Sequence, residues 1–542
     1  MPATHDVTNQ VPQLTGHDVA DDPTLLAALE HEGANWAADE VHELSRLAGS
    51  ERVQEWGRLA NENPPVLRTH DRVGHRIDEV EFHPHWHDLM DVAVSHGLHA
   101  TPWQDPRPGA HVARAAKFYV WSQNEAGHTC PISMTYSAVP TLRHSPELAA
   151  AYEPLLAARE YDYGLRVPAS KRGLIAGMSM TEKQGGSDVR ANTTTAAPAG
   201  DGSYALTGHK WFTSAPMSDV FLTLAQAPGG LSCFLLPRVL PDGSRNTIHL
   251  QRLKDKLGNK SNASAEIEYD GAIGWLVGEE GRGVRTIIEM VSNTRLDCTI
   301  GGAAGMRYGT ARAAHHARHR STFGTRLADQ PAMANVLADL AVESEAATLV
   351  AMRLAGASDR AATDDGEAAF RRLALAVTKY WVCKRAPAHA AEALECLGGN
   401  GYVEESGMPR LFRESPLSSI WEGSGNVAAL DTLRAMAKQP DSVEALVAEL
   451  DAASGADGRL DEAIAGVRKE LADLSDVEYR ARRLVERLAL VLQGSLLVRR
   501  GDEAVADAFC ASRLAGDRGT AFGTLPTGVD TNRILSRVTP ND

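Results

Sequence analysis

Three short stretches of the chain combine residue types that could do chemistry. The first, Met178-Ser179-Met180-Thr181-Glu182-Lys183-Gln184-Gly185-Gly186-Ser187-Asp188-Val189, runs from a β-type entry into hydroxyls and two adjacent glycines. Adjacent glycines allow a close backbone approach and expose N–H groups, so such a loop could hold a flat polar ring or a phosphate. An ordinary hairpin turn explains it equally well. The second, Lys210-Trp211-Phe212-Thr213-Ser214-Ala215-Pro216, sets two aromatics beside two hydroxyls, a grouping that packing at a strand end also produces. The third, Ile420-Trp421-Glu422-Gly423-Ser424-Gly425-Asn426, places a carboxylate beside a tryptophan and two glycines. Apolar surroundings raise a carboxylate pKa, as a general base working near neutrality requires. An acid at the positive end of a helix is the equal alternative.

Other chemical templates do not take hold. The chain has no G-x-S-x-G, H-E-x-x-H or Walker loop. Gly423 to Ala428 matches G-x-G-x-x-A, but the text after it is helical rather than a βαβ unit, so a dinucleotide site is not expected there. His83, His85 and His87 alternate, and His315 and His319 stand one helical turn apart, without carboxylate or cysteine at ligand spacing; no metal is expected. The six cysteines, at 130, 233, 298, 383, 396 and 510, form no C-x-x-C and no zinc-finger pair.

These stretches need elements to hold them. A chain of 542 residues exceeds one simple core at about 100–200 residues per domain. From about Thr24 to Arg172 the text is helical, broken at Asn63-Pro64-Pro65 and at Pro102 to Gly109. From Gly173 to Gly283 short β-rich runs alternate with Gly, Asp, Asn and Pro, which predicts a compact antiparallel domain. Long helical patterns return from Val284 to Lys438, including Gln330 to Asp359 and Glu367 to Leu397. An acidic Gly/Asp/Ser-rich stretch near Asp451 to Asp461 follows, then a last helical segment to Arg518 and a Gly/Pro/Thr-rich tail expected to be mobile. The expected division is 1–172 helical, 173–283 β, 284–440 a helical bundle and 441–542 an additional helical domain.

Charge bounds the partners. Lys and Arg total 55 against 70 Asp and Glu, a net charge of −15, which argues against a protein that mainly coats nucleic acid. The excess is local: residues 1–50 hold 9 acids and 1 base, and residues 441–475 hold 9 acids and 3 bases. The N-terminus is polar and no apolar run approaches the roughly 18 residues of a membrane span, so a cytoplasmic protein is expected.

Taken together, T-E-x-x-G-G-S-D, Arg320-Ser321-Thr322-Phe323-Gly324, Leu397-Gly398-Gly399-Asn400-Gly401-Tyr402 and W-E-G-S-G-N resemble, in order and spacing, the acyl-CoA dehydrogenase superfamily. GRLANENPP (57–65), FHPHWHDLM (82–90), LKDKLGNKSNAS (253–264) and IWEGSGN resemble its AidB-type branch, the flavoproteins of the adaptive response to DNA alkylation. The resemblance implies an α+β, mainly α, fold: a helical N-terminal domain, a central β-barrel-like domain, a four-helix bundle and an extra C-terminal helical domain. It implies FAD between barrel and bundle, completed by a neighbouring subunit in a homo-oligomer, a tetramer built as a dimer of dimers. Carried over by motif, Met178, Met180 and Thr181 face the flavin with Gly186 and Ser187 beside it, and Phe212 and Ser214 stand against the ring. Ser424 and Asn426 contact the cofactor, and Arg320, Phe323, Gln330, Gly398 and Gly399 hold its ADP half. A guanidinium suits pyrophosphate, and closely approaching glycines leave donors free.

Glu422 occupies the family's base position, removing a proton α to a thioester carbonyl while a hydride leaves the β carbon for the flavin. Relatives that carry the base on the helix around Asn293 to Arg295 have their counterpart here in Thr294, which cannot serve. The resemblance further implies feeble activity on short branched acyl-CoA such as isovaleryl-CoA. Its alternative is a flavoprotein that binds double-stranded DNA through the C-terminal domain and protects it, or destroys alkylating agents. Between Tyr479 and Arg500 six arginines stand against Glu486, and Arg480, Arg483 and Arg487 share a helix face suited to phosphates. A solvated face paired with neighbouring acids explains them equally. Residues 442–542 hold 13 basic and 17 acidic residues, which departs from a basic DNA-binding domain.

Overall fold

A computed structural model describes residues 4–538. The described residues form two compact units, one of residues 52–107 and 125–297, the other of residues 4–51, 108–124 and 298–538.

The first unit holds the β structure. Strands β1 (Val66–His70) and β2 (Arg76–Glu81) make an antiparallel hairpin within the stretch whose sequence predicts helix. Asp71 accepts the N–H groups of Val73 and His75 and so turns the chain between them. The alternation of β2, with Val80 buried between exposed neighbours, is short and laden with charge, which is why helical text masks it. The larger sheet contains β3 (Ala176–Ser179), β4 (Thr195–Pro198), β5 (Ser203–Ser214), β6 (Val220–Ala227), β7 (Gly230–Pro237), β8 (Ile248–Leu253) and β9 (Ser264–Val277). Its pairings run β6–β4–β5–β9–β7, and β7 pairs β6 again, so five strands close on themselves. Closure removes free sheet edges, and β3 and β8 attach outside the ring, on β6 and β9. The antiparallel expectation needs one correction: β3 and β4 both pair β6 in parallel, because each enters from a long connection rather than a hairpin.

The second unit is helical. Its long members are Pro331–Arg360 and Asp365–Glu395, with buried residues on most faces of their middle turns. Helices Gly425–Lys438, Pro440–Asp451, Gly458–Ala472 and Val477–Arg500 follow, and Gly283–His319 has residues in both units. A buried ion network ties the later helices to the earlier ones. Arg353 reaches Glu367 in a paired contact of 2.8 and 3.0 Å and also Glu449 at 2.8 Å, which Arg499 binds as well. Glu32 receives Arg360 at 2.9 Å, and Arg500 too.

Burial opposes the charge of Glu449, but the Arg353 and Arg499 guanidiniums win and bring its pKa down to about 2. A depressed folded pKa stabilises above the ordinary 4.5, and that contribution disappears as pH falls toward 2. Glu449→Gln should therefore cost about 2 kcal/mol at pH 7, the worth of charged hydrogen bonds. Thermal melts of both proteins at pH 7 and pH 3 check this, the difference shrinking at the lower pH.

The expected mobile tail is a second correction. Leu525 exchanges backbone hydrogen bonds of 3.0 Å with the Asn335 amide, and the Gly523 N–H donates to Asp339 at 2.9 Å. The helix Thr531–Val538 then buries Ile534 and sends Arg537 to Glu345 at 2.9 Å. Turn-forming composition says nothing of a distant asparagine whose amide satisfies a loop backbone.

Candidate functional site

In the barrel unit the first two motifs fold onto each other. Met178 lies in β3, Met180 and Thr181 follow it half-buried, and Gly186 and Ser187 sit exposed in the turn beyond. The Trp211 N–H donates to the Thr181 carbonyl at 2.7 Å, and the Ser179 and Thr213 hydroxyls meet at 2.5 Å. A Cβ at Gly186 would stand 2.5 Å from the Thr181 hydroxyl, so only glycine lets the turn fold back there. β5 pairs β9 at Lys210↔Ile267 and next at Thr213↔Ala265, so β5 carries one extra residue between them. This bulge re-aims Trp211 and Phe212, and Phe212 is left 49% exposed. Lys254 stands 3.4 Å from the Trp211 ring centre and 4.6 Å from that of Phe212. Ser214 ends β5, its hydroxyl 3.4 Å from that of Ser264.

Beneath this surface lies a buried ion pair absent from the expected set. Glu182 and Lys210 meet at 2.9 Å with both side chains 0% exposed. Lys210 also donates to the Leu224 carbonyl at 2.8 Å, and Glu182 accepts the N–H groups of Thr193 and Thr194 at 2.6 and 3.1 Å. Burial opposes ionisation of Glu182, but these donors hold its pKa down to about 2, while burial pulls Lys210 below its ordinary value. The pair pins Thr181 and the glycine turn to β4 and β5. Both residues stand inside motifs already singled out; what the sequence lacks is any sign that they face each other.

In the helical unit the candidates occupy three segments. Arg320 precedes a small hairpin, Ser321–Thr322 with Thr325–Arg326, turned at Phe323 and Gly324 with φ of 53° and 81°. Asn9 accepts from Ser321 at 2.8 Å and donates back at 2.7 Å, and Arg320 donates to the Asn9 carbonyl. Gln330 donates to the Thr322 hydroxyl at 2.8 Å, so Arg320, Phe323 and Gln330 are gathered on one hairpin with Phe323 100% exposed. Gly398 and Gly399 form a tight turn with nothing within 4 Å of either Cβ position, leaving open the space a ligand would need.

Glu422 adopts φ 54° and Gly423 φ 101°, two successive left-handed residues just before the helix Gly425–Lys438. For a residue with a Cβ such a conformation costs on the order of 1–3 kcal/mol and is held by its surroundings. Ser424 stands at the helix N-cap without using its side chain as a cap, and Asn426 is exposed in the first turn. Lys379, 1% exposed, donates to the carbonyls of Trp421, at 2.9 Å, and Gly423. A lone lysine within the apolar run Leu373 to Cys383 was the available signal for it.

The arginine face is largely committed. Arg480 bends back onto the carbonyls of Asp473 and Ser475 at 2.6 and 2.7 Å, and Arg487 pairs with Glu470 at 2.8 Å. Of the three, Arg483 is left facing solvent. The histidines are likewise engaged: His85 with Asp88 at 2.7 Å, His87 with Tyr161 at 2.8 Å, and His315 with the Pro12 carbonyl at 2.9 Å. Among the described residues no group of three His, Cys, Asp or Glu is placed to hold a metal ion, and no helix is long and apolar enough to cross a membrane.

Family models match three parts of the chain: the adaptive response protein AidB N-terminal domain over residues 9–163, the acyl-CoA dehydrogenase middle domain over 177–272, and the acyl-CoA dehydrogenase C-terminal domain over 281–437. AidB of Escherichia coli (strain K12) is 46% identical over 513 residues, 94% of each chain. Acyl-CoA dehydrogenase family member 11 of Caenorhabditis elegans is 34% identical over 76% of this chain and 70% of its own. A crystal structure of C. elegans ACDH-11 in complex with C11-CoA superposes with a TM-score of 0.86 at 28% identity, covering 95% of this chain and 94% of that one.

Proposed function

The chain belongs to the AidB branch of the acyl-CoA dehydrogenase family, and from that premise we propose that it is an FAD-dependent oxidoreductase acting on the CH–CH bond of short branched acyl-CoA thioesters. The observation that carries the proposal is the Glu422 turn, a carboxylate in a strained left-handed conformation at the family's base position.

The residues present fit FAD. On the barrel unit, the exposed Gly186-Ser187 turn offers N–H donors, and the half-exposed Phe212 ring and the Ser214 hydroxyl stand on the same strand. Met178, Met180 and Thr181 complete the ring-side set. On the helical unit, Ser424 and Asn426 offer polar groups at a helix start, where the dipole favours negative charge. Arg320, Phe323, Gln330 and the open Gly398-Gly399 turn would take the ADP half. When bound, FAD supplies the acceptor for the hydride leaving the substrate β carbon.

Glu422 would remove the α proton, and its carboxylate is aimed by a backbone conformation fixed before substrate arrives. The fully exposed Phe323 and the exposed Tyr402 and Ile420 support assembly into a homo-oligomer, since isolated apolar side chains of that size gain by burial. The divisions 1–172, 173–283, 284–440 and 441–542 belong to the same proposal. Purified protein should be yellow, and isovaleryl-CoA added without oxygen should bleach its flavin band. A colourless protein that takes up no FAD, or a band that no acyl-CoA bleaches, would overturn the proposal.

A further inference from the structure

We infer that Lys379 is a positioning residue for Glu422, clamping the turn that aims the carboxylate; this rests on Glu422 being the base. The ammonium lies in the middle of the Asp365–Glu395 helix at 1% exposure, in a run of apolar residues. Its two acceptors are the carbonyls of Trp421 and Gly423, the residues on either side of Glu422. Burying an ammonium is costly, and these two main-chain carbonyls offset part of that cost.

The geometry accounts for the arrangement. At Glu422 and Gly423 the chain is left-handed, with φ of 54° and 101°, and so its flanking carbonyls point away from any regular ladder. Lys379 binds both from one side. A lysine is suited to this because three rotatable donors on a compact head can serve two carbonyls at once. The turn is also bounded at its helical end, where a Cβ on Gly425 would lie 3.1 Å from the Arg482 guanidinium and 3.6 Å from both Lys384 and Tyr380. The turn thus has Lys379 against its flanking carbonyls and Arg482 beside Gly425, where the helix starts. Removing Lys379 frees the carbonyls and lets Glu422 relax toward ordinary backbone angles, which displaces the carboxylate.

The test uses the FAD-loaded protein and anaerobic stopped-flow reduction by isovaleryl-CoA, unlabelled and deuterated at the α carbon. Lys379→Met should retain FAD and a KM within about 3-fold of the parent, yet reduce its flavin about 30- to 100-fold more slowly. The α-deuterium isotope effect should rise, because proton removal becomes the slower step. Lys379→Gln, which keeps two N–H donors on a shorter, uncharged head, should fall between the two, and it serves in place of the methionine variant should that one not fold. A parental reduction rate and isotope effect in both variants, or a loss confined to KM or to FAD content, would falsify the inference. Glu422→Gln run alongside separates the two failures: if it reduces its flavin as fast as the parent, the base assignment falls, whatever Lys379 does.

Discussion

Glu422→Gln should retain FAD and fold normally while losing acyl-CoA oxidation by about 10²- to 10⁴-fold, the usual contribution of a positioned general base. Glutamine has the same length and keeps a hydrogen-bonding head, so the left-handed turn, the Lys379 clamp and the helix start at Gly425 have no reason to change. What is lost is the carboxylate that we propose accepts the α proton. At the helix position that the resemblance gives as the alternative base stands Thr294, a buried hydroxyl donating to the Met290 carbonyl, which cannot act as a base at neutral pH. The effect should fall on kcat with KM for the thioester nearly unchanged, since the carboxylate acts on the reacting proton rather than on binding. Steady-state kinetics with an artificial electron acceptor, together with the flavin content of both proteins, decide the matter. Undiminished turnover would remove Glu422 from the mechanism.

The second large effect belongs to the barrel. Lys210→Met should destabilise by about 3–5 kcal/mol, because it leaves the Glu182 carboxylate buried without its cation. Methionine fills the space of the lysine stem, so the loss is electrostatic rather than a cavity. Adding Glu182→Gln to Lys210→Met should restore part of that stability, the signature of one coupled pair. Glu182 has a folded pKa near 2 against an ordinary 4.5, so its contribution is complete above 4.5 and is lost as pH falls toward 2. Urea unfolding of the parent, both single variants and the double variant at pH 7 and pH 3 reads all of this. The single lysine variant should also bind FAD more loosely, since the pair anchors the turn carrying Thr181, Gly186 and Ser187. Equal urea midpoints for parent and Lys210→Met would show that the pair adds nothing.

Family and most of the helical periodicity were legible in the sequence, because each is a property of neighbouring residues. T-E-x-x-G-G-S-D and W-E-G-S-G-N are contiguous, and their meaning survives without knowledge of what packs against them. The hairpin Val66–His70 with Arg76–Glu81 was not legible, since its short alternation is built largely from charged residues. Nor was the anchoring of the tail, which depends on an amide at Asn335, 190 residues away.

The arginine face shows the same limit from the other direction. Spacing put Arg480, Arg483 and Arg487 on one side of a helix, but Arg480 turns back to Asp473 and Ser475, and Arg487 is taken by Glu470. The sequence by itself determined which residue types are on offer: a carboxylate at 422, hydroxyls and glycines at 181–187, aromatics at 211–212. Tertiary structure alone decided that Glu182 faces Lys210, that five strands close into a ring, and that Lys379 reaches the carbonyls around Glu422. The physical reason is that charge, burial and hydrogen-bond partners are set by residues distant in the chain, while motif and periodicity are set by residues beside one another.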